Sequence, residues 1–172
     1  MNEAIQNMIT RRSCRAFQSK QVEESALQEI LQAGLYAATG RNKQSPIMVV
    51  VQNPEEVKLL SKLNAAVMGV DTDPFYGAPM VIVVLADSNV HTYVEDGSLV
   101  MGNLMNAASS LGVASCWIHR AKEVFASEEG QALLKKWGVE GDYVGVGHCV
   151  LGYREGEKQE AGPRRENRIF RP

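Results

Sequence analysis

Apolar residues recur at helical spacing through the first part of the chain. Asn2 stands at a cap position, and Ile5, Met8 and Ile9 follow on one face, which predicts a short first helix. Arg11 to Phe17 breaks that rhythm and reads as an exit into a loop. From about Val22 to Ala38, the residues Leu27, Ile30, Leu31, Gly34 and Leu35 fit one helix face, and Thr39-Gly40 is expected to end that helix through a permissive glycine. Ile47 to Val51 is a continuous apolar run, rich in β-branched residues, and predicts a strand buried on both faces. Asn53-Pro54-Glu55-Glu56 combines a cap, a first-turn proline and two acids at the positive end of the dipole, a strong helix start. That helix is expected to end near Leu63, with a loop from Gly69 to Pro79 behind it. Met80 to Ala86 predicts a second buried strand. Glu95 to Leu111 reads as a helix with apolar residues on nearly every side, among them Leu99, Val100, Met101, Leu104 and Met105, which suits a core or a subunit interface. Gly112 stops it. Val113 to Ile118 is strand-like, Ser127 opens a helix through Trp137 closed by Gly138, and Tyr143 to Leu151 is the last core strand. Beyond Gly152 the chain is polar and arginine-rich except at Ile169-Phe170.

With no repeat and no linker, this order predicts one domain over residues 1–172. Its class is α+β, helices layered on a mainly antiparallel sheet. The 172 residues suffice to bury a core without a disulfide or a structural metal. Net charge is −2 and pI about 5.9, which argues against a general nucleic-acid binder. No apolar run approaches the ~20 residues of a membrane span, and the polar start has no secretory pattern. Cys14, Cys116 and Cys149 form no CxxC pair, so the expectation is reduced thiols in a cytoplasmic protein, Cys116 and Cys149 in the core. The phosphate-loop, dinucleotide-fold and GxSxG signatures are missing, and the three histidines are scattered, so no metal ligand set and no side-chain nucleophile is expected.

Three segments carry candidate chemistry. Seven of the ten arginines lie near the ends: Arg11, Arg12, Arg15, Arg164, Arg165, Arg168 and Arg171. Guanidinium groups bind phosphate oxygens in pairs, and chain termini often lie close together, so two converging clusters with the Ser13 hydroxyl would suit a phosphate. A solvated basic tail is the alternative. Thr39 to Gln44 sets two neutral amides, Asn42 and Gln44, before a strand, and amides can read the edge of a heteroaromatic ring; an ordinary turn is the alternative. Ser115 to Arg120 is a strand end entering a loop. There Trp117 and Ile118 would form an apolar wall and loop N–H groups would be free, unless both side chains pack in the core.

Taken in this order, the segments resemble the FMN-dependent nitroreductase family over essentially the whole chain. The resemblance is carried by Arg11-Arg12-Ser13-x-Arg15-x-Phe17, by Ala38-Thr39-Gly40-x-Asn42-x-Gln44, by Asp96-Gly97-Ser98 through Ile118, by Leu151-Gly152-Tyr153 and by Pro163-Arg164-Arg165. It implies a three-layer sandwich and an intertwined homodimer with FMN at the subunit interface. Arg11, Arg12, Ser13 and Arg15 would then hold the phosphate and ribityl end, completed by Arg164 and Arg165. Thr39, Gly40, Asn42 and Gln44 would come from the other subunit. Trp117, Ile118, His119 and Arg120 would line the ring, with backbone N–H near its N5. The tail from about residue 155, through Asn167 to Phe170, would extend the partner's sheet. The implied activity is hydride transfer from NADH or NADPH through the flavin to a nitroaromatic, quinone or similar small acceptor, in ping-pong fashion and with no catalytic side chain. Phe75 and Tyr76 are candidates for stacking on the substrate, or core residues. The sequence departs from the family pattern at Ser45-Pro46, where Pro-Trp is common, at Gly162, where Lys is common, and at Asp71, where some members have Asn. A non-catalytic flavin- or nucleotide-binding sensor or storage module would use the same arginines and amides.

Overall fold

The computed structural model describes all residues, Met1–Pro172. Its elements are α1 (Glu3–Thr10), α2 (Glu24–Leu35), a 3-10 turn (Gly40–Asn42), β1 (Pro46–Val51), α3 (Pro54–Met68), β2 (Met80–Asp87), α4 (Tyr93–Ser110), β3 (Ala114–Ile118), α5 (Ala121–Ala126), α6 (Glu128–Lys136) and β4 (Tyr143–Gly152). The strands form one antiparallel sheet in the order β1-β2-β4-β3.

Side chains of β2 alternate between two cores, as a pleated strand requires. Val81, Val83 and Leu85 join α3, α5 and α6 on one face. Met80, Ile82 and Val84 join α2 and α4 on the other. Helices therefore cover both faces, giving three layers. Val146 is an extra residue in β4, where the register with β2 shifts between Val84 and Leu85. Its side chain fills the space a Cβ on Gly97 would take, 2.6 Å away, so glycine there lets α4 sit close on the sheet.

The caps of α1 and α3 follow the sequence. Asn2 accepts from Ala4 N–H, and Asn53 accepts from Glu55 and Glu56 N–H. Three expectations need correction, and one helix was not foreseen. Strand β1 is an edge strand, mostly half-buried, because a β-branched run does not reveal which strands have neighbours on both sides. Helix α3 runs on to Met68 and ends at left-handed Gly69, since Asn64 and Ala65 continue its buried face. Helix α2 ends at Leu35, and Gly40 serves close packing: a Cβ there would lie 2.3 Å from the Thr92 hydroxyl. The short helix α5 was not legible, because its six residues span under two turns and show no resolvable period.

No helix is long and apolar enough to cross a membrane. The apolar face of α1 is left open: Ile5, Met8 and Ile9 are all exposed, as are Leu35, Tyr36, Leu99, Ile169 and Phe170.

Candidate functional site

Two backbone pairings tie the segment after α1 to β3 and to the residues just after β4. Ser13 bridges Ser115 in parallel, with Cys14 N–H donating to the Ser115 carbonyl at 2.9 Å. Phe17 bridges Arg154 in antiparallel sense, through Gln18 N–H to the Tyr153 carbonyl and Glu155 N–H to the Ala16 carbonyl, both 2.9 Å. The segment from Arg11 to Phe17 thus lies along the free edge of β3. The strand leading to Trp117–Arg120 is beside it, and the first tail residues flank its far end.

Arg11, Arg12, Ser109, Gly112, Ser115, Arg154 and Lys158 line a recess of about 160 Å³ at this junction. Both arginines line it, and each carries a buried guanidinium nitrogen, Arg11 Nη1 and Arg12 Nε, without any hydrogen-bond partner. An unpaired buried donor on a cation is costly, and a phosphate or similar oxyanion would satisfy both. Arg12 also caps its own helix, donating to the Ile9 carbonyl at 2.8 Å. Arg154 and Lys158 were missed by the sequence reading, which stressed Arg164 and Arg165. The signal was available, since Arg154 follows the last core strand by two residues and cannot be far from it. Arg164 and Arg165 are fully on the surface and do not line the recess, and Arg164 turns back to the Gly162 carbonyl. Arg15 is exposed on the same segment.

The amide loop is elsewhere. Thr39 to Gln44 leads into β1, the edge strand opposite β3, about 14 Å across three strand spacings. Buried Asp96 fixes it by accepting Gly40 N–H at 2.9 Å and the Thr92 hydroxyl at 3.0 Å. The role of Asp96 was not foreseen. Arg41, Asn42 and Gln44 all have left-handed backbones (φ of 51°, 53° and 49°), each costing roughly 1–2 kcal/mol for a residue with a Cβ. Three such residues in one exposed loop single it out as a candidate site. Gln44 donates to Asn42 Oδ1 at 3.1 Å, which leaves the remaining amide groups turned to solvent.

At the end of β3, Ile118 packs in the core, and the half-buried Trp117 indole lies over Gly147, where a Cβ would be 2.7 Å from its Nε1. Ile118 is therefore packing, and what the segment leaves open is part of Trp117, backbone, His119 and Arg120. Arg120 is left-handed (φ 74°) and its N–H donates to no acceptor. Of the two roles open to Phe75, stacking or core packing, its burial fits the core. It is 1% exposed with its ring 5.3 Å from His148, because the Asp73 carboxylate gathers the loop inward by accepting Phe75 and Gly77 N–H. Tyr76 stays exposed. A cavity of about 830 Å³ lies between α3 and the loop from Gly69 to Pro79, with Asp71 and Asp73 on its rim.

No group of three His, Cys, Asp or Glu side chains is placed to hold a metal ion. All three cysteines are buried, and burial pushes the Cys149 thiol up to about 12, so it offers no thiolate.

Burial also holds the His148 imidazole down at about 4. Between pH 6.5 and 4 the unfolded chain binds a proton that the native chain refuses. This contribution to stability is therefore complete above pH 6.5 and is lost as pH falls toward 4, about 1.4 kcal/mol per pH unit and ~3 kcal/mol in all. Urea unfolding at pH 7 and pH 4.5 measures it. The His148→Phe variant should lose that part of the difference.

The family model for nitroreductases matches residues 8–70 and 68–153. The chain belongs to the nitroreductase family. A relative from Archaeoglobus fulgidus, provisionally named an NADH dehydrogenase/NAD(P)H nitroreductase, is 30% identical over 164 residues, which is 92% of this chain and 89% of the relative. A crystal structure of a nitroreductase with bound FMN from Bacteroides fragilis superposes with a TM-score of 0.91 at 27% identity, covering 99% of this chain and 98% of that one. A second FMN-bound nitroreductase, from Desulfitobacterium hafniense, gives 0.89 at 26% identity over the full length of both chains. The family's fold, a mainly antiparallel sheet between helical layers, is the one found here.

Proposed function

We propose that this chain is an FMN-dependent oxidoreductase that takes electrons from NADH or NADPH and works as a homodimer, each copy one FMN-binding domain over residues 1–172. The observation that carries the reading is the basic recess lined by Arg11, Arg12, Arg154 and Lys158, two of which have orphaned guanidinium donors, Arg11 Nη1 and Arg12 Nε. Family membership and the FMN-bound relatives support it.

When bound, FMN supplies the hydride chemistry, accepting from a reduced nicotinamide and giving to a nitroaromatic, quinone or similar small acceptor in ping-pong order. The residues of the chain bind and orient. Arg11, Arg12, Arg154 and Lys158 neutralise the phosphate, and Ser13 and Arg15 continue along the ribityl chain. Arg164 and Arg165 join when the exposed tail is drawn in. Trp117 to Arg120 offer backbone donors at the ring edge. Thr39, Gly40, Asn42 and Gln44 stand at the opposite sheet edge from this cluster, so they serve a site on a partner copy. The open apolar faces of α1 and α4, with Ile169 and Phe170 on the tail, favour that association.

The test is anaerobic bleaching. Purified protein loaded with FMN is yellow, and NADH or NADPH should bleach it; addition of a nitroaromatic or quinone should restore the colour. Bound FMN that neither nucleotide reduces would defeat the enzymatic reading and favour a passive flavin carrier.

A further inference from the structure

Beneath the turn from β3 to α5 lies a sealed polar pair. Asn64 on α3 and His148 on β4 are both 0% exposed. Asn64 Nδ2 donates to the His119 carbonyl at 2.7 Å and sits 3.5 Å from His148 Nδ1. Phe75 and Phe125 close over the imidazole, with ring centroids 5.3 and 5.8 Å away. Asn64 Oδ1 and His148 Nε2 lack a well-formed hydrogen bond, although the imidazole faces the backbone of Ile118 and His119. Burying polar atoms unpaired costs roughly 1–3 kcal/mol each, so this pair is a poor way to fill a core next to Leu60 and Val57.

The bond it makes is informative. It reaches from one layer of the fold to a single peptide group, that between His119 and Arg120. The carbonyl of that peptide is held by Asn64, and its N–H, on Arg120, is free. Arg120 has a left-handed backbone, so local preference does not set the peptide's orientation and an external hold is needed. The next residue is pinned as well, because Gly145 lies where a Cβ would be 2.3 Å from the Ala121 carbonyl oxygen. A carbonyl that accepts a hydrogen bond also makes the N–H of its own peptide a stronger donor.

We propose that Asn64 is a positioning residue for the oxidoreductase reaction: by anchoring the His119 carbonyl it aims and polarises the Arg120 N–H toward N5 of the bound flavin. The inference rests on the FMN reading above and adds the residue that sets the ring-edge donor. Oxidised N5 is an acceptor, whereas reduced N5 carries a proton, so a donor aimed there favours the oxidised ring.

The Asn64→Leu variant keeps the branching at Cγ and removes the donor. It should bind oxidised FMN about tenfold more weakly relative to reduced FMN, which for a two-electron couple raises the midpoint potential by about 30 mV. Spectroelectrochemical titration of the loaded variant and the wild type measures it. A merely structural role would weaken both redox forms equally; an unchanged potential in a variant that binds FMN overturns the inference alone. Wild-type protein that binds no FMN overturns the reading beneath it. Should Asn64→Leu fail to fold, the wild type decides through the nuclear magnetic resonance signals of the Asn64 side-chain amide. One slowly exchanging proton that shifts on flavin reduction supports the proposal. Fast exchange of both protons, or no shift, overturns it.

Discussion

Replacing Arg11 by alanine is expected to weaken FMN binding by about ten- to a hundredfold and to leave riboflavin binding unchanged. Arg11 is the better probe of the two adjacent arginines. Its Nη1 is buried with no partner, whereas Arg12 also ties down the last turn of α1 through the Ile9 carbonyl. A hydrogen bond from a guanidinium to a phosphate oxygen contributes roughly 1.5–3 kcal/mol, which sets the expected range. Riboflavin lacks the phosphate, so it reports whether the ring and ribityl parts of the site survive. Quenching of flavin fluorescence at fixed ionic strength measures both constants. A parallel loss for both ligands would mean that Arg11 holds the fold rather than the anion. No loss for either would move the phosphate away from the recess.

Phe75→Ala should cost about 3–5 kcal/mol of folding stability, the range for removing a buried aromatic ring. The ring is sealed against His148 and also borders the cavity of about 830 Å³ beside α3. Its loss joins that cavity to the polar pair of Asn64 and His148. Water then reaches the imidazole, whose titration should return toward its ordinary value and flatten the stability decline between pH 6.5 and 4. Urea unfolding at two pH values reads both effects. A cost below about 1 kcal/mol, with the pH dependence intact, would show that the ring is not what keeps His148 dry.

Much of the architecture was legible because the strongest patterns are local. The caps at Asn2 and Asn53 and the left-handed glycines Gly112 and Gly138 stand where short-range chemistry puts them. The apolar run of β2 reads as buried and is the most enclosed strand. Position within the sheet was not legible. The run at β1 looks the same as that at β2, yet one is an edge and the other central, because sheet order is decided by contacts far apart in sequence. The candidate site shows the same division. Arg11 and Arg12 stood out as a cluster, but their association with Arg154 and Lys158 depends on a bridge between Phe17 and Arg154 that no local pattern encodes. Asn64 and His148 left a fainter trace, as polar residues on otherwise apolar faces of a helix and a strand. That trace marks a buried group but does not name its partner, and nothing in the sequence ties Asn64 to the peptide before Arg120.

The bridge between Phe17 and Arg154 also bears on how the chain is made. Residues 13–18 cannot complete their pairing until residue 155 has been translated, and such distant closures are slow. Helices α2 and α3 can form as they emerge from the ribosome, but the arginine stretch ahead of them has nothing to pair with until β3 and the residues after β4 are released. The anion recess therefore forms only after β3 and β4 have been made, and a nascent chain stalled before Arg154 would carry most of the core yet lack the recess.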